Sequence, residues 1–163
     1  MQRRPFLLAA LTGAASLMPL VAGAGEPTVS VKHSIDVATS PGKVVVELTV
    51  INQGKTTVWI PREVAAEHEL TGRRFDLRGF DNRPVPYTGK MVKRAALTAG
   101  DYQPLEPGKM LMNTIDITSS YAFKPGRHTY NIGYAGPVLA DPKRPDALVE
   151  FPARPASFVY SGK

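Results

Sequence analysis

His68-Glu69-Leu70-Thr71-Gly72 is the stretch that comes nearest to catalytic chemistry. A zinc peptidase needs two imidazoles at i and i+4 of a helix, so that both ligands share one face with the glutamate between them. Gly72 stands where the second imidazole is required, so the site is incomplete and His68 reads as a surface histidine. His33 and His128 fall on separate elements, and no spacing gathers the three. Met110 and Met112 are two apart on a strand and share a face. Soft thioether sulfur suits Cu(I). However, the chain has no cysteine and no histidine near them in sequence, so they read as methionines in or beside a core. There is no G-x-S-x-G elbow and no phosphate loop. No catalytic constellation emerges, and neither a metal nor a cofactor is expected.

One stretch with binding character remains, residues 75–102. Phe75 and Leu77 alternate with Asp76 and Arg78 as in a half-buried strand. Asp81-Asn82 supplies a turn, and Pro84 and Pro86 exclude helix. Tyr87-Thr88-Gly89-Lys90-Met91-Val92-Lys93-Arg94 then sets an aromatic, a glycine bend and three cations within one loop, and Tyr102 closes the segment. Read as a solvated connection, it is a basic rim. Read as a partner-binding surface, Tyr87, Met91 and Tyr102 supply contact area, Gly89 the bend, and Lys90, Lys93 and Arg94 the charge.

The elements that must hold this loop are strands. Residues 43–51 alternate most clearly, with Val44, Val46, Leu48 and Val50 on one face. Residues 29–37, 56–60, 75–78, 85–87, 109–117, 128–134 and 157–160 also read as strands. Residues 62–70 read as a short helix, and the proline-rich residues 137–155 as an extended connection with little pairing. This pattern predicts an all-β fold, an antiparallel immunoglobulin-like β-sandwich of seven or eight strands. Trp59 is a candidate core aromatic and Tyr121 a candidate corner tyrosine.

Arg3 and Arg4, the apolar run that follows and Ala22-Gly23-Ala24 predict an export signal over residues 1–24, cleaved rather than kept as an anchor. The twin arginines fit either general or twin-arginine export. The remaining 163 − 24 = 139 residues form one domain, residues 25–163, placed in the periplasm or outside the cell. Losing two arginines brings the net charge from +6 to +6 − 2 = +4. These charges are interleaved in sign, which argues against nucleic acid as a partner.

The motif order resembles the prodomain of deuterolysin-type lysine-specific metalloendopeptidases. The matching residues are Val46-Glu47-Leu48-Thr49-Val50-Ile51-Asn52-Gln53-Gly54, then Trp59-Ile60-Pro61-Arg62-Glu63, then the run from Val85 to Arg94. Asp101-Tyr102, Pro107-Gly108, and Tyr121, Phe123, Pro125-Gly126 and Tyr130 follow. In that family a zinc peptidase domain follows the prodomain, whereas this sequence holds no complete H-E-x-x-H. The resemblance implies a non-catalytic sandwich that inhibits a secreted metalloendopeptidase or assists its folding. Two alternatives stand beside it: an immunoglobulin-like protein-interaction module without a protease, and a Met-based copper-handling sandwich.

Overall fold

The computed structural model describes residues 28–93, 97–144 and 146–163. The expected signal, residues 1–24, lies outside them. In chain order the elements are β1 (Val31–Ser40), β2 (Lys43–Asn52), β3 (Val58–Pro61), α1 (Arg62–Ala65), β4 (Phe75–Gly79) and a 3₁₀ turn at Ala99–Asp101. They continue with β5 (Tyr102–Leu105), β6 (Met110–Asp116), β7 (Gly126–Tyr134), β8 (Pro137–Leu139), β9 (Leu148–Glu150) and β10 (Ala156–Gly162). The fold is an all-β sandwich, and every pairing between these strands is antiparallel. The strand orders are β1-β2-β6, β10-β7-β4 and β5-β3-β8-β9.

Alternation places the core. Val44, Val46, Leu48 and Val50 of β2 are fully buried, and Ile35, Leu111 and Ile115 join them from the flanking strands. Phe75 and Leu77 of β4, Tyr130, Ile132 and Tyr134 of β7, and Phe158 and Tyr160 of β10 close the same core from the second sheet. Tyr121, Phe123 and Tyr130 form an edge-to-face series, with Phe123 5.1 Å from Tyr130 and 5.0 Å from Tyr160. Such contacts add about 0.5–1.5 kcal/mol each beyond burial. The spacing of these aromatics is therefore a packing requirement. Asn52 is likewise structural. Its buried Nδ2 donates to the carbonyls of Thr56 and Leu105 at 2.8 Å each, and its Oδ1 accepts from the Gly54 amide at 3.0 Å. A Cβ on Gly54 would stand 2.7 Å from the Thr28 carbonyl oxygen, so the turn needs glycine.

Several expectations are corrected. Among the described residues ten strands are formed rather than seven or eight, because the proline-rich connection supplies β8 and β9 and the approach to Pro107 supplies β5. The expected strand at residues 85–87 is not formed: the stretch makes only isolated bridges, Arg78 to Pro84 just before it and Tyr87 to Tyr121, since Pro84 and Pro86 lack the amide hydrogens a ladder needs. The helix is one turn. Trp59 is half-buried, and the fully buried aromatics are Phe75 and Tyr130. Tyr121 donates its hydroxyl to the Phe75 carbonyl at 2.8 Å, 46 residues away, so it ties β4 to the turn before β7 rather than a local corner. Met110 and Met112 point away from the core and are exposed, because β6 buries its odd-numbered residues.

Glu63 of α1 is a carboxylate with only 1% of its surface exposed. Its Oε1 accepts from the Thr71 amide and hydroxyl, both at 3.0 Å. Its Oε2 accepts from Arg74 Nε at 2.6 Å and also meets Arg74 Nη2. A buried charge without such partners would not be tolerated, and breaking the pair from the cationic side costs roughly 3–5 kcal/mol.

His33 of β1 is also buried. Its Nδ1 lies 2.8 Å from the Phe151 carbonyl, which can only accept, so Nδ1 carries the proton. Among the described residues Nε2 has no hydrogen-bond partner, and the ring stands edge-on to Tyr134. Burial lowers its pKa below 6.5, and the Phe151 bond offsets this in part. The fold therefore holds the neutral ring. In the window between the lowered folded pKa and 6.5 the unfolded chain binds more protons, so stability is complete above 6.5 and falls as pH drops through that window. The expected slope is up to about 1.4 kcal/mol per pH unit. Urea unfolding from pH 8 to pH 5 should show this loss in the wild type and a smaller one in His33→Gln. Equal profiles would contradict the assignment.

Candidate functional site

The segment 87–93 crosses the outside of the sandwich, and each of its turns is held from beneath. Tyr87 is half-buried, with its ring 5.3 Å from Tyr121 in an edge-to-face contact. Its hydroxyl donates to the Lys90 carbonyl at 2.8 Å. Gly89 lies under that ring, and its amide donates to the Ser120 carbonyl at 3.2 Å. A Cβ at Gly89 would stand 2.8 Å from the Tyr87 hydroxyl and 3.0 Å from Ser120 Cα, which is why the bend takes glycine. Lys90 Nζ pairs with Glu69 Oε2 at 3.0 Å, an exposed pair worth little by itself. The Val92 amide donates to the Thr71 carbonyl at 3.0 Å. Thr71 is the residue whose own amide and hydroxyl are held by Glu63.

The braced segment turns Met91, 80% exposed, and Val92, 55% exposed, to solvent, with Lys93 exposed beside them. Of the sequence-predicted residues, Lys90, Met91 and Lys93 are on the surface. Tyr87 and Gly89 act beneath it as brace and bend. Tyr102 is a correction: it is 3% exposed and sits in β5 opposite Pro61, so it supplies no contact area to a partner. Pairing of β5 with β3 holds it against the body of the domain. Arg94 lies outside the described residues. Sequence reasoning missed Glu63 and Thr71 as supports. The W-x-P-x-E run contained Glu63, but nothing local marked it as buried.

Burial raises the pKa values of Tyr87, Tyr102, Tyr121 and Tyr134. Tyr121 is pushed up to about 12, with the bond to Phe75 acting against the shift. Tyr134 is raised further by burial, and its hydroxyl has no hydrogen-bond partner among the described residues. Tyr87 and Tyr102 are raised for the same reason, with nearby Glu63 and Asp101 respectively adding to the effect. These hydroxyls stay protonated at neutral pH and serve as donors rather than bases. His68 is exposed, with Nδ1 2.9 Å from the Thr114 carbonyl. Among the described residues no group of three or more His, Cys, Asp or Glu is placed to hold a metal ion. No helix among them is long and apolar enough to cross a membrane.

No family model matches the chain, and no curated protein matches it. Among solved structures, the X-ray structure of Northeast Structural Genomics Consortium target SoR45 is 14% identical. That match covers 82% of this chain and 85% of that one, with a TM-score of 0.37. The putative ApaA protein from Bordetella pertussis is 18% identical, over 82% of this chain and 91% of that one, with a TM-score of 0.32.

The brace makes a specific demand on Gly89. Gly89→Ala should force the Tyr87 ring off Tyr121 and cost about 1–3 kcal/mol, as overpacking does. Gly100→Ala meets only the Thr98 hydroxyl, at 3.5 Å. It should stay within about 0.5 kcal/mol of wild type. Urea midpoints for the two variants check this, and equal midpoints would remove Gly89 from the brace.

Proposed function

We propose that the protein is a non-catalytic, protease-prodomain-like binding protein. It inhibits a secreted zinc metalloendopeptidase of lysine specificity, assists its folding, or does both, in the periplasm or outside the cell. The observation that carries this reading is the segment 87–93, in which Tyr87, Gly89, Lys90 and Val92 are tied down while Met91, Val92 and Lys93 face solvent. The prodomain resemblance supports it, because the Tyr87-to-Arg94 run is its most specific part.

The physics favours a binding loop of this build. A loop already held in one conformation loses less entropy on association, so more of its contact energy appears as affinity. A peptidase that cleaves at lysine must offer a subsite for a cation. Lys93 is exposed and makes no ion pair or hydrogen bond among the described residues, and it is the residue to enter that subsite. Lys90 is tied to Glu69 and takes a rim position. The ties at Tyr87 and Val92 hinder the rearrangement that turns a bound segment into a cleaved one.

Inhibition of a secreted lysine-specific zinc endopeptidase tests the reading. Lys93→Ala should raise the inhibition constant by about 30-fold, the effect of losing a central anchor of ~2 kcal/mol. Tyr87→Ala should raise it through loss of the brace. Lys143→Ala, at an exposed position in the proline-rich region, should leave it unchanged. Equal constants for all three, or no inhibition by the wild type, would overturn the proposal.

A further inference from the structure

Phe80 is 85% exposed, the most exposed large apolar side chain among the described residues. It is not isolated. It forms the lip of a cleft of about 250 Å³ between the turn after β4 and the approach to β7, with Pro84, Val85 and Tyr130 among its walls. Asn82 holds the turn at φ 60°, a conformation that asparagine tolerates better than most residues. Two cations stand at the cleft, Arg83 and Lys124, with side chains 84% and 65% exposed. Both face one carboxylate, Asp81 Oδ2, at 3.8 and 3.9 Å, which is beyond hydrogen-bond length. Asp81 is itself held in the turn, since its Oδ1 accepts from the Arg83 amide at 3.2 Å. The rim thus has two cations for one anion, with neither cation's donors saturated by it. His128 also lines the cleft and is engaged with the Pro125 carbonyl through Nε2 at 2.8 Å.

We propose that this cleft binds an apolar carboxylate: one aromatic or branched side chain against Phe80, Pro84 and Tyr130, with its carboxylate bridging Arg83 and Lys124. Size selects the occupant. The volume falls below the roughly 300–1,000 Å³ of sites for drug-sized ligands, so it accommodates one side chain. Charge selects the rest, because arginine and lysine donors without close partners favour a second anion beside Asp81. The carboxy-terminal residue of a peptide and a free aromatic acid both carry this chemistry. The site is separate from segment 87–93 and does not depend on the inhibitor reading.

The test is titration of the purified protein, followed by amide chemical shifts, with N-acetyl-phenylalanine, its carboxamide, Ala-Ala-Phe and 3-phenylpropionate. N-acetyl-phenylalanine should shift the resonances of Gly79, Arg83 and Lys124 saturably. The carboxamide should bind about tenfold more weakly or worse, as loss of charged hydrogen bonds implies. Arg83→Gln and Lys124→Gln should remove the preference for the acid, and Phe80→Ala should weaken acid and amide alike. All three positions are exposed, so the folded state is retained and the variants report on binding. Tighter binding of Ala-Ala-Phe than of 3-phenylpropionate marks a peptide terminus as the source, and the reverse order marks a free acid. Equal binding of acid and amide, or no saturable shift at these residues, would overturn the site.

Discussion

A carboxylate in the interior is the constraint from which the outer face of this sandwich is built. Glu63 cannot lie among apolar side chains unless its charge is met. The chain meets it twice within the next eleven residues, with Thr71 on one oxygen and Arg74 on the other. That requirement sets the path of the segment between α1 and β4. The helix ends after one turn, Leu70 is buried, Thr71 turns back over Glu63, and Arg74 delivers the chain to Phe75. The same segment then runs beside β6. The Asp116 amide donates to the His68 carbonyl, and Asn113 Nδ2 donates to the carbonyls of Val64 and Glu67. Part of an edge strand is thereby covered, which removes a template for unwanted pairing.

The consequence for function runs through Thr71. Its donors are committed to Glu63, and its carbonyl accepts the Val92 amide. A surface loop is normally the most mobile part of a domain. Here one of its backbone groups is fixed to a residue that is fixed in turn to a buried charge. Tyr87 on Tyr121 holds the other end. Between these two anchors the segment has little freedom, and the side chains it leaves outside are apolar or cationic. The proposed binding role draws on that combination, since an ordered loop loses less entropy on association.

Much of the sandwich was legible in sequence. Period 2 in β2, β6 and β7 identified the buried faces because those strands are long and lie against a single core. The short strands were not legible. β8 and β9 have three residues each among prolines, too few to show a period, and they exist because neighbouring strands pair with them. Tyr102 reads in sequence as contact area at the end of the basic segment, whereas its place in β5, paired with Pro61, leaves it buried. Met110 and Met112 read in sequence as methionines in or beside a core, whereas the parity of β6 turns both to solvent. In the loop, residue types alone marked Lys90, Met91 and Lys93 as surface. The supporting role of Glu63 depends on contacts eight and eleven residues away and on a burial that no local pattern announces.

The central claim is that the loop is ordered from the buried charge outward. Native-state hydrogen exchange at single amides tests it most directly. In the wild type the Thr71 and Val92 amides should exchange more slowly than those of Met91 and Lys93. In Glu63→Leu, which removes the acceptor for Thr71, protection at Thr71 and Val92 should collapse to the level of their neighbours. The amides within β2 should keep protection limited only by global unfolding. Unprotected Val92 in the wild type, or Val92 protection that survives in Glu63→Leu, would contradict the account.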